Sequence, residues 1–148
     1  MSDHIVKLIP DDPFYKPSDV SLSTAKAYLE AHVDCDCVNI CIKDTPVFVD
    51  CGSNLSEISC PKCGAELDIG WWQGAMSKAF EGKFMALDTV APCCGAPVSL
   101  NELCYNFPCG FARARIEIYN PGHAVEDDIL DSVQKIFGTA LRVIHAHL

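Results

Sequence analysis

Along the 148-residue chain the period of apolar and polar positions changes repeatedly, and each change predicts an element. His4 to Ile9 is a short apolar run that predicts a strand, followed by a Pro- and Asp-rich loop from Pro10 to Pro17. Leu22, Ala25, Leu29 and Val33 then recur at helical spacing, with Ser21 placed to cap the helix. Cys37 to Lys43 and Val47 to Cys51 read as the two strands of a hairpin joined through Asp44-Thr45-Pro46, with Gly52-Ser53-Asn54 closing the second. Ile69, Trp72, Met76, Ala79 and Phe80 predict an amphipathic helix from Ile69 to Glu81, ended by Gly82. Within it Trp72 falls on the apolar face and Trp71 off it. Ala86 to Val90 predicts a strand, and Ser99-Leu100-Asn101-Glu102 a capping box on a short turn that carries Leu103 and Tyr105 inward.

The last third has the clearest pattern. Phe111, Arg113, Arg115, Glu117 and Tyr119 alternate with Ala112, Ala114, Ile116 and Ile118, as in a half-buried strand. Asn120-Pro121-Gly122 breaks it. A helix follows with Val125, Ile129, Leu130, Val133, Ile136 and Phe137 on one face and Glu126, Asp127 and Asp128 in its first turn, where the helix dipole favours them. Gly138 terminates that helix, and Ala140 to Leu148 predicts a final strand. A strand, helix, strand run of this length implies a parallel crossover. The expected class is therefore α+β: a mixed sheet with packed helices and an inserted zinc-ribbon-like region over 59–105, all within one domain spanning 1–148.

Cysteine usage changes this picture from scaffold to chemistry. The chain has ten cysteines, and two clusters flank the central helix: Cys60-Pro61-Lys62-Cys63-Gly64 and Pro92-Cys93-Cys94-Gly95. Four thiolates close a tetrahedral Zn²⁺ site, and the Cys-Pro-x-Cys-Gly turn lets backbone N–H groups point at sulfur while its glycine adopts positive φ. The second cluster is not a repeat of the first, because Ala91 stands where a match to Cys60 would fall and Cys93 adjoins Cys94. The expected ligands are Cys60, Cys63, Cys93 and Cys94; the alternative pairs Cys94 with a remote thiol, Cys104, Cys109 or Cys51, and iron is an alternative ion. A closed four-thiolate site has no vacancy for water, so the zinc reads as structural rather than catalytic. A redox role for Cys60 and Cys63 fits less well, since the helix starts several residues beyond the pair. Cys35, Cys37 and Cys41 are expected on one face of a strand, with Cys51 close by, as small packed thiols or, alternatively, a second metal site or redox sensor. His145 and His147 alternate on the last strand and face a polar rim or chelate a metal.

The segment Cys60 to Pro121 resembles a group of small, uncharacterised bacterial zinc-ribbon proteins. The resemblance rests on Cys60 to Gly64, Trp71-Trp72, Pro92 to Gly95, Ser99 to Leu103, Gly110 to Arg113 and Asn120-Pro121. It covers the second half of the chain and implies that Cys93 and Cys94 act together, because Cys104 and Cys109 fall outside its motifs.

The formal net charge of −9 opposes binding to phosphate backbones and leaves nucleic acid as an unfavoured partner. No basic, apolar leader pattern opens the chain and no apolar run approaches membrane-spanning length, so a soluble, cytoplasmic protein is expected. In a reducing compartment the thiols serve as ligands or packing groups rather than disulfides. No nucleophile with a base partner and no phosphate-binding loop is present, which shifts the reading from enzyme to binding module. The expected function is a cytosolic protein-binding module with structural Zn²⁺, for instance an immunity protein that neutralises a bacterial toxin. The rivals are a thiol redox or metal-handling protein and a nucleic-acid-binding ribbon.

Overall fold

A computed structural model describes residues 3–52 and 55–147. The closing turn expected at Ser53-Asn54 and the end of the final strand at Leu148 lie outside the described residues. Strand β1 (His4–Pro10) leads through helix α1 (Asp19–His32) to the long strand β2 (Cys37–Val49). The middle of the chain holds β3 (Ile58–Ser59), α2 (Ile69–Glu81), β4 (Asp88–Val90), β5 (Pro97–Ser99), a 3₁₀ turn over Leu100–Glu102 and β6 (Cys104–Tyr105). Strand β7 (Gly110–Tyr119), helix α3 (Asp127–Phe137) and β8 (Leu141–His147) complete it.

The main sheet has the order β2-β7-β1-β8, and every neighbouring pair is antiparallel. Strands β1 and β2 therefore run the same way with β7 between them, and β7 and β8 run the same way with β1 between them. The crossover read in the last third is present as β7-α3-β8, and it interleaves with β1-α1-β2 to give a split βαβ arrangement. The class is α+β, and the region with the two cysteine clusters is inserted between the two crossovers.

On one face of the sheet Val6, Leu8, Val38, Ile116 and Ile118 meet Leu22, Ala25 and Leu29 of α1 and Ile129, Val133 and Phe137 of α3. Each fully buried side chain of this size contributes about 1.5–3 kcal/mol, so this core holds the sheet and helices together without help from a metal. Helix α1 is capped by Ser18, whose hydroxyl accepts from the Ser21 amide at 3.1 Å, not by Ser21. Ser18 has the extended backbone of an N-cap, with φ −70° and ψ 158°, so the helix starts one turn earlier than the apolar stripe suggests. Helix α3 ends as its sequence implies: Gly138 takes the left-handed conformation at φ 79° and its N–H donates to Gln134.

The hairpin expected between Cys37 and Cys51 is one strand. Ile42 pairs with Ala114 and Val47 with Ala112, so both halves run along β7, and residues 43–46 form an irregularity rather than a turn. Strand β2 lies at the sheet edge, where a bulge tolerates Pro46, and the Arg113 guanidinium donates to Lys43 O at 3.3 Å across it.

Beyond β2 the chain crosses the second face of the sheet. Val49 and Cys51 pack with Ile9, Ala112, Ile144 and Cys109, Lys7 Nζ donates to Asp50 O at 3.1 Å, and Gly52 forms a parallel bridge with His147 on the far edge strand. Gly52 has φ +66°, and a Cβ there would lie 2.6 Å from the His147 carbonyl oxygen, a backbone atom.

The inserted region has its own core, to which the sheet contributes Phe111. Phe111 is fully buried although it lies on the charged side of β7, because the insertion covers the start of that strand. Aromatic contacts carry the join, with Phe111 centred 5.2 Å from both Phe48 and Phe84, and Trp72 5.7 Å from Phe48. Trp71 and Trp72 are both half-buried against this core, so Trp71 is not exposed as its position off the stripe suggests. The Ser99 hydroxyl accepts from the Asn101 amide at 3.3 Å and caps the 3₁₀ turn. Asn101, a buried polar residue, ties the turn to the sheet. Its Oδ1 accepts from the Phe111 amide at 3.0 Å and from Arg142 Nη1 at 3.3 Å, and its amide donates to Asp11 O at 3.2 Å. Among the described residues no helix is long and apolar enough to cross a membrane.

The close approach at Gly52 generates a stability prediction. Gly52→Ala should cost about 2 kcal/mol or more in urea unfolding, since it combines φ strain with a backbone clash. Metal content of the folded protein should not change.

Candidate metal centre

Two knuckles of the same backbone design face each other in the inserted region. In the first, the Cys60 amide donates to Ala65 O and the Gly64 amide to Cys60 O, each at 2.9 Å, with Gly64 at φ 78°. In the second, the Ala91 amide donates to Ala96 O and the Gly95 amide to Ala91 O, again at 2.9 Å, with Gly95 at φ 71°. These bonds fix the correspondence: Ala91 occupies the place of Cys60, Cys94 that of Cys63, and Cys93 that of Lys62. The first knuckle is based on the Ser59–Glu66 bridge and the second on the β4–β5 hairpin. Cys60 and Ala91 are both buried in the core of the insertion, while Cys63, Cys93 and Cys94 are exposed.

The second knuckle thus lacks a sulfur at the Cys60 position, and Cys93, the neighbouring turn residue, brings a fourth one to the group. The sulfurs of Cys60, Cys63, Cys93 and Cys94 all lie within 4.8 Å of one another, a group that could hold a metal ion. Cys60 Sγ is 3.8 Å from Cys94 Sγ, which matches the edge of about 3.8 Å expected for a tetrahedron with metal–sulfur bonds of about 2.3 Å. Cys63 Sγ and Cys93 Sγ are 3.3 Å apart, so an ion would spread this pair slightly. The donor set of four thiols suits zinc or iron, not a hard cation.

The surroundings favour ionisation on one side of the cluster. The backbone amide of Cys63, against the effect of burial and aided by the Lys62 amide, pulls the Cys60 thiol down to about 7, and Lys62 N lies 3.4 Å from its sulfur. Cys93 is pushed up to about 12, first by its hydrogen bond with Cys63 and then by desolvation and the other thiols. The asymmetry follows from the knuckle: the turn amides serve Cys60, whereas Cys93 sits among sulfurs whose negative charge only a cation relieves.

The remaining candidate thiols fall elsewhere. Cys104 is exposed on β6 opposite Ser59. Cys51 and Cys109 are buried 3.3 Å apart, and desolvation, followed by the Cys51 thiol, raises Cys109 well above the ordinary thiol range. Neither belongs to the cluster, so the remote-ligand alternatives are not met. Cys51 packs in a different core from Cys35. Cys35 packs at the margin of the helix-face core and, with Cys37, lines an open concavity of about 510 Å³ with Asp34, Asp36 and His123. Cys41 pairs across the ladder with Arg115, its sulfur 3.9 Å from Glu117 Oε1.

One constellation is absent from the sequence reading. His145 and His147 are joined by His4, which lies directly opposite His147 in the β1–β8 register. The signal for it, a histidine on the first strand, becomes legible only once β1 is known to pair with β8. Comparison with known proteins returned no matching family model, no matching curated protein and no matching solved structure.

The knuckle correspondence is tested by moving a ligand. Cys93→Ala should weaken metal binding by more than the roughly 10–100-fold that loss of an outer contact costs, and Ala91→Cys in that background should restore it. Competition with a chromophoric chelator measures both. Affinity should also fall as pH drops below about 12, where protons compete for the Cys93 thiolate, and more steeply through and below about 7, where they compete for that of Cys60 as well; a pH-independent affinity would contradict thiolate ligation.

Proposed function

We propose that the chain is a protein-binding module in which a structural Zn²⁺ on Cys60, Cys63, Cys93 and Cys94 stiffens the inserted region for a basic protein partner. Neutralisation of a bacterial toxin, in the manner of an immunity protein, is the specific form of this reading. A full set of four thiolates leaves zinc no open position, so the site supports a scaffold role.

The observation that carries the reading is an exposed apolar patch on the insertion. Phe80 at the end of α2 is 68% exposed and Met85 is 55% exposed, with Phe14 beside Met85 on the rim of a shallow concavity. The turn below them is strained: Lys83 and Phe84 both have φ 57°, at a cost of about 1–2 kcal/mol per residue. That turn drives Phe84 into the core and leaves Met85 outside. Strain retained under an exposed aromatic and a methionine supports recognition, and methionine suits an adaptable surface.

Charge supports the basic partner. Over residues 57–105 three lysines and no arginine stand against six carboxylates, and a zinc tetrathiolate would add a net charge of about −2. The same balance disfavours nucleic acid. The thiol redox reading has one supporting observation, the 3.3 Å Cys51–Cys109 pair. Burial and the raised Cys109 value make that pair a poor nucleophile, which favours packing.

Affinity capture from native-host lysate with the zinc-loaded chain should retain a basic protein. Phe80→Glu and Met85→Glu should each lose it while shifting unfolding free energy by no more than about 0.5 kcal/mol, as expected for exposed sites. Retention of no protein, or of the same one by both variants, would contradict the proposed surface.

A further inference from the structure

The geometry points to a second metal site, open to solvent and built from the three imidazoles of His4, His145 and His147. Strands β1 and β8 pair with His4 opposite His147 and Val6 opposite His145. Two histidines spaced i, i+2 on one strand share a face, and a third directly across the ladder joins them on it. This placement brings three nitrogen ligands to one end of a rigid sheet, where the backbone fixes their Cα positions.

The side chains have already converged. The His4 ring stacks on His147 with centroids 4.5 Å apart and planes 8° from parallel, and on His145 at 5.4 Å and 21°. His4 Nε2 and His145 Nδ1 are 3.2 Å apart, so one of them carries a proton and the other offers its lone pair. Three such rings cannot all be protonated at this separation. Burial, then the His147 and His145 rings, hold His4 below the ordinary histidine value, which favours the neutral, metal-ligating form. Among the described residues only the four cysteines have ligand atoms mutually within 4.8 Å, so a cation here replaces the His4–His145 hydrogen bond by ring rotation about the side-chain torsions.

The chemistry of the set selects the ion. Neutral imidazoles favour Zn²⁺, Co²⁺, Ni²⁺ and Cu²⁺ over Mg²⁺ or Ca²⁺. Three histidines leave the fourth position of a tetrahedral ion for water or an exchangeable anion, unlike the closed cysteine cluster. The other two histidines are engaged elsewhere: His32 Nδ1 donates to Tyr28 O at 2.8 Å, and His123 Nδ1 to Ala124 O at 2.9 Å.

Co²⁺ titration of the full chain tests the site after the cysteine cluster has been filled with one equivalent of Zn²⁺ and excess metal removed. Calorimetry should detect one further bound ion, with visible d–d bands that lack the thiolate-to-metal charge transfer of a cysteine site and that change when azide is added. His4→Phe keeps a stacked ring but removes both nitrogens, and His147→Gln keeps a polar side chain; each should weaken Co²⁺ binding by about tenfold or more. Thermal melting of each metal-free variant establishes that it is folded, and the proposal then rests on whichever variants melt like the parent. No further ion, a further ion showing thiolate charge transfer, or equal Co²⁺ affinity in folded His4→Phe would overturn it.

Discussion

Four sulfurs held within 4.8 Å of one another set the constraint on which the inserted region depends. As thiolates they repel and as thiols they make only weak contacts, so their proximity suits a group that could hold a metal ion. The consequence is a division of labour. The split βαβ sheet with its two helices is held by apolar burial, whereas the two knuckles, joined to it by Phe111, Asn101 and the aromatic contacts of Phe48, share a smaller core of their own and bring the four sulfurs together at its edge.

The second knuckle explains why the ligand pattern is irregular. Its backbone reproduces the first bond for bond, yet the position that points inward holds Ala91. A cysteine one residue before Cys94 projects from the turn instead, so three of the four sulfurs face solvent and only Cys60 is buried. The missing inner sulfur leaves room for core packing at Ala91, and the cluster is shifted toward the surface.

Local patterns made much of this legible. Helix α2 has the bounds its apolar spacing and Gly82 imply, because periodicity and end signals are short-range, and the Asp68 carboxylate caps its start by accepting from the Trp71 amide. Strand β7 and the Gly138 end of α3 follow in the same way, but Val125 and Glu126, expected in that helix, precede it, with Glu126 at its N-cap. Phe80 was assigned to the apolar stripe but faces solvent, since the helix end overhangs the small core beneath it. The hairpin misreading of residues 37–51 has a long-range cause: Asp44-Thr45-Pro46 has turn chemistry, and only pairing of both halves with β7, some seventy residues away in sequence, makes it a bulge. The adjacency of β1 and β8, which unites His4 with His147, is equally invisible without topology. For the metal centre, the mismatch between Ala91 and Cys60 could be read directly, while the choice of Cys93 over Cys51, Cys104 or Cys109 needed the fold.

X-ray absorption at the metal edge of protein purified from its native host tests the central claim most directly. The account predicts about one zinc per chain, surrounded by four sulfur scatterers at about 2.3 Å and no oxygen or nitrogen in that shell. Protein that folds and carries no metal, or a shell of fewer than four sulfurs completed by light atoms, would contradict it.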